Sequence, residues 1–141
     1  MPYREKIAWL SLVAMAVTFG PYFAIVAMGT LPPRPLPDTR HLLLFGIAAV
    51  VQGLIVGAGY LIVARATDKA DRTPPDERDL AITRRSTSFA YYVLILGMIE
   101  VGVVMPFNSS GWTIIHAALF MIVAAELVRL GVVVFSYRRQ A

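Results

Sequence analysis

Four long apolar runs, separated by short polar segments, dominate the pattern of this chain. The runs lie at 7–28, 41–64, 89–107 and 112–135. A helix needs roughly 20 residues to cross ~30 Å of hydrocarbon, so each run is long enough for one passage. The pattern predicts an all-α membrane protein in which residues 1–141 form one domain, a four-transmembrane-helix bundle. The expected spans are about 7–28, 41–64, 86–107 and 112–135.

The polar segment at 65–85, between the second and third spans, is predicted to be half loop and half helix. Thr73 is followed by two prolines and Asp76. Threonine caps free helix amides, proline suits the first turn, and an acidic residue complements the positive end of the helix dipole. We therefore expect one continuous helix over 74–105, with about 14 residues outside the membrane, a stalk of roughly 20 Å at ~1.5 Å per residue.

Basic residues beside the helix ends predict the orientation of the chain. Lysine and arginine collect on the cytoplasmic side of membrane proteins. If both termini and the 65–85 loop share one side, ten basic residues lie there and two lie opposite. We therefore expect the N and C termini in the cytoplasm. The ten are Arg4, Lys6, Arg65, Lys69, Arg72, Arg78, Arg84, Arg85, Arg138 and Arg139, and the two are Arg34 and Arg40.

Composition narrows the functional classes. The chain is 57% hydrophobic and 16% charged, whereas a soluble domain has roughly 25% charged residues. It has no cysteine, which excludes disulfides, thiolate metal sites and cysteine nucleophiles. A pI of about 9.8 would suit a nucleic-acid binder, but basic residues beside membrane helices serve to orient them. The expected first partner is therefore the lipid bilayer, and no direct nucleic-acid binding is expected.

The first span has a second interpretation. Arg4 and Lys6 precede the apolar run, and Ala14-Met15-Ala16 offers a cleavage site, which together resemble a signal peptide. The apolar run continues well past that site to Met28. This length favours a transmembrane helix over a cleaved signal.

Small residues recur at every fourth position of the first two spans and therefore line one face of each helix. Such faces allow two membrane helices to approach closely. We predict that the two spans touch through these faces, the alternative being a chance pattern of abundant small residues. The residues are Ala16, Gly20 and Ala24 in the first span and Ala49, Gly53 and Gly57 in the second.

Polar and ionisable residues within the spans are candidate functional residues. A charge at a helix centre costs roughly 2.5–3.5 kcal/mol or more, so each needs a partner or a purpose. Glu126 and Arg129 are three residues apart and are predicted to neutralise each other, with Arg129 reaching the membrane surface. Gln52 is predicted to hydrogen-bond between helices. The full set is Gln52, Glu100, His116, Glu126 and Arg129.

Glu100 and His116 flank the short turn between the third and fourth spans. Helical rise places Glu100 about 10 Å and His116 about 6 Å below that turn, so the helical hairpin is expected to bring them together. Such a pair could relay a proton, because histidine titrates near neutrality. It could equally be a hydrogen bond that locks the hairpin, and we favour this structural role.

The sequence carries no recognisable enzyme motif. It lacks a His-Glu-x-x-His motif, a glycine-rich phosphate loop and a catalytic cysteine. His41 and His116 are the only histidines, and their sequence neighbours offer no second ligand. We therefore expect no enzymatic activity, no metal and no cofactor.

The segment Asp76-Glu77-Arg78-Asp79-Leu80-Ala81-Ile82, with the Ser/Thr-rich stretch and Ala90-Tyr91-Tyr92 that follow, carries a family resemblance. It resembles uncharacterised prokaryotic predicted membrane proteins in which an Asp-Glu-Arg stretch follows the second of four spans. The resemblance covers the overall layout and a motif over 76–92. It implies a location in the cytoplasmic (inner) membrane. Because some similar proteins are encoded beside small helix-turn-helix regulators, it also implies a cytoplasmic protein partner.

The charged segment at 65–88 is the largest charged surface that the spans leave free. Its acidic start and basic end suit a partner with complementary charges, although a solvated stalk is the alternative. The leading hypothesis is a regulatory, assembly or accessory subunit that binds a protein partner, or a second copy in a homo-oligomer, through this surface and its helix faces. The alternative is a small oligomeric proton-coupled transporter or channel that uses Glu100 and His116. The predicted partner surface comprises Asp76, Glu77, Arg78, Asp79, Arg84 and Arg85.

Overall fold

Four long helices make up the described part of the fold. The computed structural model describes residues 3–30, 35, 39–67, 74–109 and 111–139. Each helix is long and apolar enough to cross a membrane when the helical continuation of the third to Phe107 is included. The predicted all-α class and the four long apolar helices are thereby confirmed. The helices are α1 (Tyr3–Ala27), α2 (Thr39–Ala66), α3 (Glu77–Ile99) and α4 (Trp112–Arg138).

The helices pack in the order α2, α1, α4, α3, so that α2 and α3 lie at the two ends of the row. Leu10 of α1 fills the space beside Gly59 of α2. Phe23 of α1 meets Phe120 of α4 with the ring centroids 5.2 Å apart. The most apolar stretch of α2 contains no buried residue within the chain. In a membrane, this helix therefore presents most of its surface to lipid or to another protein.

The third helix begins later than predicted. α3 starts at Glu77 and is capped by Asp76, whose side chain accepts a hydrogen bond of 2.7 Å from the backbone N–H of Asp79. Pro74 and Pro75 precede the helix, and a residue followed by proline is disfavoured in the helical conformation. The predicted helix start at 74 is therefore wrong, and the predicted cap Thr73 lies outside the described residues.

The far end of α3 changes helical type without a break. A single π-helical turn spans Glu100–Val104, in which the N–H of Met105 donates to the carbonyl of Glu100, and a short 3-10 turn follows at Met105–Phe107. Pro106 has no N–H to complete the α-helical ladder, and its ring crowds the carbonyl four residues earlier. Relaxation to wider hydrogen bonding accommodates the proline, and the long continuous third helix is confirmed with its new start.

The predicted contact between the small-residue faces of α1 and α2 is wrong. All six residues of the two stripes (Ala16, Gly20, Ala24, Ala49, Gly53 and Gly57) are exposed. The helices meet instead through larger side chains, with Phe19 and Phe45 rings 5.4 Å apart. Aromatic packing buries more surface than a contact between small residues does, and it decides which faces of the two helices meet. Both stripes are left on the outside of the chain.

The first turns of α1 and α3 and the last turn of α4 lie together, at what we call the terminal end of the molecule. The guanidinium of Arg4 in α1 pairs with Asp79 in α3, with Nε 3.1 Å from Oδ2. The guanidinium of Arg138 in α4 lies 3.9 Å from the carboxylate of Glu5 in α1. The two ends of the helical region are therefore on the same side, as four crossings require. His41 and Trp112, at the starts of α2 and α4, mark the opposite end.

Candidate functional site

Asp79 organises the terminal end. Its Oδ2 pairs with Arg4 of α1, and its Oδ1 accepts a hydrogen bond from the hydroxyl of Tyr137 in α4. The Asp79 side chain is only 18% exposed, and Tyr137 is buried. Asp79 was predicted to lie on the partner surface, but the structure uses it to tie three helices together.

A second polar contact at the terminal end joins α4 to α1. Arg138 pairs with Glu5, which is 5% exposed, and its guanidinium also lies 4.9 Å from the ring centre of Trp9. A buried acidic residue needs such a partner because burial penalises its charged form. The remaining members of the predicted surface are exposed: Asp76, Glu77, Arg78, Arg84 and Arg85.

Replacing Asp79 by alanine is expected to lower the free energy of unfolding by about 1–3 kcal/mol, because it leaves the buried Tyr137 hydroxyl without its acceptor. Stability is measured by titrating the detergent-solubilised protein with a denaturing detergent. Glu77→Ala is the matched control. It removes an exposed acidic residue of the same helical turn and should change stability by less than about 0.5 kcal/mol. Equal effects of the two variants would show that Asp79 is a surface residue after all.

Glu126 and Arg129 neutralise each other, as predicted. Nε of Arg129 donates to both carboxylate oxygens of Glu126, at 2.9 and 2.8 Å. The pair lines an apolar groove of about 570 Å³ to which all four helices contribute, including Phe45 of α2 and Tyr91 of α3. Pairing on one helix removes the net charge that the two side chains would otherwise bring into this groove.

Gln52 forms the predicted interhelical hydrogen bond. The hydroxyl of Thr18 in α1 lies 2.8 Å from Oε1 of Gln52 in α2, and also 2.9 Å from the carbonyl of Ala14. Polar contacts of this kind hold membrane helices together with about 1 kcal/mol each. The bond fixes the register of α2 against α1 and gives Gln52 a structural role.

The predicted pair between Glu100 and His116 does not form, and His116 has other partners. Its Nδ1 lies 3.0 Å from the hydroxyl of Tyr22 in α1, and its Nε2 lies 3.1 Å from Nδ1 of His41 in α2. Both ring nitrogens are therefore engaged. We call Tyr22, His116 and His41 the imidazole chain.

The imidazole chain joins α1, α4 and α2 near the opposite end. His41 is 2% exposed and stacks on Trp112, with the ring centroids 5.0 Å apart. A neutral imidazole has one donor and one acceptor nitrogen. If Tyr22 donates to His116, then His116 donates to His41, and the reverse order satisfies the same distances. The arrangement can therefore hold protons in two orders.

Both histidines lie near the same end of the bundle for a reason visible in the sequence. His41 opens α2 and His116 lies in the first turns of α4, and the two helices start at the same end. The sequence shows both positions but gives no sign that they pair, because the two histidines are 75 residues apart on different helices. Within the described residues no third histidine, cysteine or acidic side chain joins them in a metal-binding group.

Glu100 lies apart from this chain. It is the first residue of the π-helical turn of α3 and is exposed. Within the described residues its side chain makes no hydrogen bond or ion pair. Of the five polar residues predicted within the spans, Glu100 is thus the one for which the described residues provide no partner.

Comparison with known proteins found no relative from which a function could be inferred, so the inferences about function rest on the geometry of the structure. No protein family model matches this chain, and searches of curated proteins and solved structures gave no significant match. The resemblance based on the motif over 76–92 therefore stays a prediction. The residues that the fold brings together, and those that it leaves exposed, carry the inferences below.

Proposed function

We propose that this chain is an accessory subunit of a membrane protein assembly and binds a transmembrane helix of a second protein. Its role is regulatory or structural, not catalytic, and its location is the cytoplasmic membrane of a prokaryote. The observation that carries the proposal is the exposed acidic side chain of Glu100 within the third span.

The surroundings of Glu100 are apolar. Leu96 and Val103, four residues before it and three after it on the same side of the helix, are 68% and 59% exposed. Glu100 is about 10 Å from the end of the helix at Phe107, counted at ~1.5 Å per residue. A charge at membrane depth costs roughly 2.5–3.5 kcal/mol. A hydrogen-bond donor on a neighbouring helix offsets this cost, so we expect the partner helix to carry lysine, arginine, asparagine or glutamine there.

The π-helical turn at Glu100–Val104 also supports a binding site for a partner helix at Glu100. Single π turns within α-helices occur frequently at functional sites. In this turn the ladder of backbone hydrogen bonds is widened, so side chains are re-aimed relative to a regular α-helix. Within this turn Val101 is buried, whereas Glu100 lies on the exposed side.

The free surface of α2 also supports contact with another membrane helix. A Cβ added at Gly53 or Gly57 would meet no atom within 4 Å. Membrane helices associate by close packing of small residues, because lipid provides no hydrophobic drive between them. The exposed stripes of α1 and α2, which the fold does not use, are therefore available for an assembly.

The terminal end would face the cytoplasm by the ten-to-two distribution of basic residues. The stretch Glu77–Phe107 comprises 31 residues, which is about 46 Å of helix against ~30 Å of hydrocarbon. α3 thus has length to spare beyond the membrane at this end. Asp76 caps α3, and Asp79 contacts Arg4 and Tyr137. The surface left for a cytoplasmic partner is therefore smaller and more basic than predicted.

A photo-activated cross-linking residue at Leu96 tests the proposal in cells. We expect a cross-linked product with a second membrane protein that is lost in Glu100→Leu and kept in Glu100→Gln, because an amide still hydrogen-bonds where leucine cannot. The loss should be about tenfold, which corresponds to 1.4 kcal/mol. Cross-linked bands are quantified by immunoblot and the attached peptide is identified by mass spectrometry.

Two controls sharpen this experiment. The same cross-linker at Ile122 of α4, which is 53% exposed, reports nonspecific neighbours and should not respond to Glu100. Glu126→Gln changes a glutamate that is already paired with Arg129 and should leave the Leu96 product unchanged. A product made only with a second copy of this chain would replace the heteromeric assembly by self-association. An undiminished product in Glu100→Leu would end the proposal.

The imidazole chain favours a second candidate, an oligomeric proton-coupled transporter or channel. A line of groups that can hold protons in two orders is suited to passing them along. Purified protein in liposomes should then conduct protons, and His116→Gln should abolish the flux because glutamine cannot take up and release a proton as imidazole does, while the Leu96 cross-link should be kept. Absence of proton flux in the wild-type protein would exclude the transporter or channel and leave the accessory role as the only candidate.

A further inference from the structure

A cleft between the start of α3 and the end of α4 opens at the terminal end. Its volume is about 230 Å³. None of its residues belongs to the Asp79 contacts, the imidazole chain or the Glu100 face. The lining residues are Arg85, Phe89, Val132, Phe135, Ser136 and Arg139.

The cleft has a layered order that follows from helix register. Phe89 lies four residues after Arg85 on α3, and Phe135 lies four residues before Arg139 on α4. The two helices run in opposite directions, so on each helix the phenylalanine lies farther from the terminal end than the arginine does. Four residues correspond to about 6 Å, which places each phenylalanine about one turn deeper than the arginine of its own helix.

Among the described residues, neither of the two cleft arginines has an acidic partner, and the guanidinium of Arg85 lies 5.8 Å from the ring centre of Phe89. The neighbouring Arg138 differs, because it pairs with Glu5 and lies over Trp9. Two guanidinium groups that line one cleft repel each other unless an anion lies between them.

We propose that this cleft binds the phosphate of an anionic phospholipid. Guanidinium groups form paired hydrogen bonds with phosphate oxygens, and basic pockets between membrane helices suit anionic head groups. Phe89 and Phe135 are 47% and 63% exposed and continue the cleft towards the hydrocarbon. A lipid uses both layers, with its head group at the arginines and its acyl chains along the rings. Free phosphate would use only the first layer.

Titration of the detergent-solubilised protein with phosphatidylglycerol, followed by native mass spectrometry, measures the apparent Kd of the first bound lipid. Arg85→Gln and Arg139→Gln should each raise this Kd about fivefold, from roughly 1 kcal/mol per basic residue at a membrane surface. Phosphatidylcholine with the same acyl chains should bind at least about fivefold more weakly than phosphatidylglycerol.

Arg84→Gln is the matched control. It removes the same charge from the neighbouring position of α3, outside the cleft, and should change the Kd by less than about twofold. Circular dichroism checks that each variant keeps its helical content. An equal loss in Arg84→Gln would reduce the site to general surface charge. Equal binding of phosphatidylcholine, or full displacement of the lipid by inorganic phosphate, would also overturn the proposal.

Discussion

Replacing His116 by alanine is expected to lower the free energy of unfolding by about 2–4 kcal/mol. The substitution removes the hydrogen bonds to Tyr22 and His41 at once, and these bonds join three helices. It also opens a cavity beside the stacked rings of His41 and Trp112. Unfolding is measured by titrating the detergent-solubilised protein with a denaturing detergent and following tryptophan fluorescence, to which Trp112 contributes directly.

Tyr22→Phe separates the hydrogen bond from the packing. It keeps the aromatic ring, which packs against Phe45 with centroids 5.3 Å apart, and removes only the hydroxyl, so its cost should be about 1 kcal/mol. Ile122→Ala shortens a half-exposed side chain on the same helix as His116 and should cost less than about 1 kcal/mol. If His116→Ala lowers the free energy of unfolding no more than Ile122→Ala does, the imidazole chain has no structural role.

Enlarging Gly97 is expected to push α3 and α4 apart. Gly97 is buried, and a Cβ built there would lie 2.1 Å from Cε and 3.0 Å from Cβ of Met121. The flexible end of methionine can move aside, but its Cβ is fixed to the backbone of α4. Gly97→Val therefore forces the helices apart and should destabilise the protein by about 1–3 kcal/mol. Denaturing-detergent titration measures this loss.

Gly131 provides the matched control on α4. A Cβ at Gly131 would meet no atom within 4 Å, and alanine is a better helix former than glycine by roughly 0.5–1 kcal/mol. Gly131→Ala should therefore be neutral or stabilising. Gly97→Ala should not be stabilising, because the contact of its Cβ with Met121 cancels the gain in helix propensity. Shortening the neighbour in Gly97→Ala/Met121→Ala should recover part of the close packing. A Gly97→Val protein as stable as wild type would mean that α3 and α4 are farther apart than the structure places them.

Local features of the sequence predicted local structure well. The spacing of Glu126 and Arg129 on one helix was sufficient to foresee their ion pair, because side chains three residues apart are neighbours on any α-helix. The sequence predicted that Gln52 would hydrogen-bond to another helix. It did not identify Thr18 as the partner, because Thr18 lies on a different helix. The start of α3 was missed by a few residues because two prolines and two possible caps compete there, and the aspartate cap prevails.

Contacts between helices could not be read from the sequence. His116 was assigned to Glu100 because both flank one turn, but α4 also packs against α1, and that contact supplies Tyr22. The stripes of α1 and α2 were expected to meet, but larger aromatic side chains decided which faces pack. Asp79 was classed as a surface residue because the chain gives no sign that the ends of α1 and α4 close over it.

The sequence by itself determined the four apolar helices, their approximate ends and the ion pair within α4. The reason is that apolar length and i,i+3 spacing act within a single helix and need no knowledge of its neighbours. Only the tertiary structure decided which polar groups meet between helices: Tyr22, His116 and His41 at one end, and Arg4, Asp79 and Tyr137 at the other. All four helices are apolar over most of their surface, so hydropathy alone cannot rank their faces. Side-chain shape and hydrogen bonding chose the packing, and that choice left Glu100 exposed.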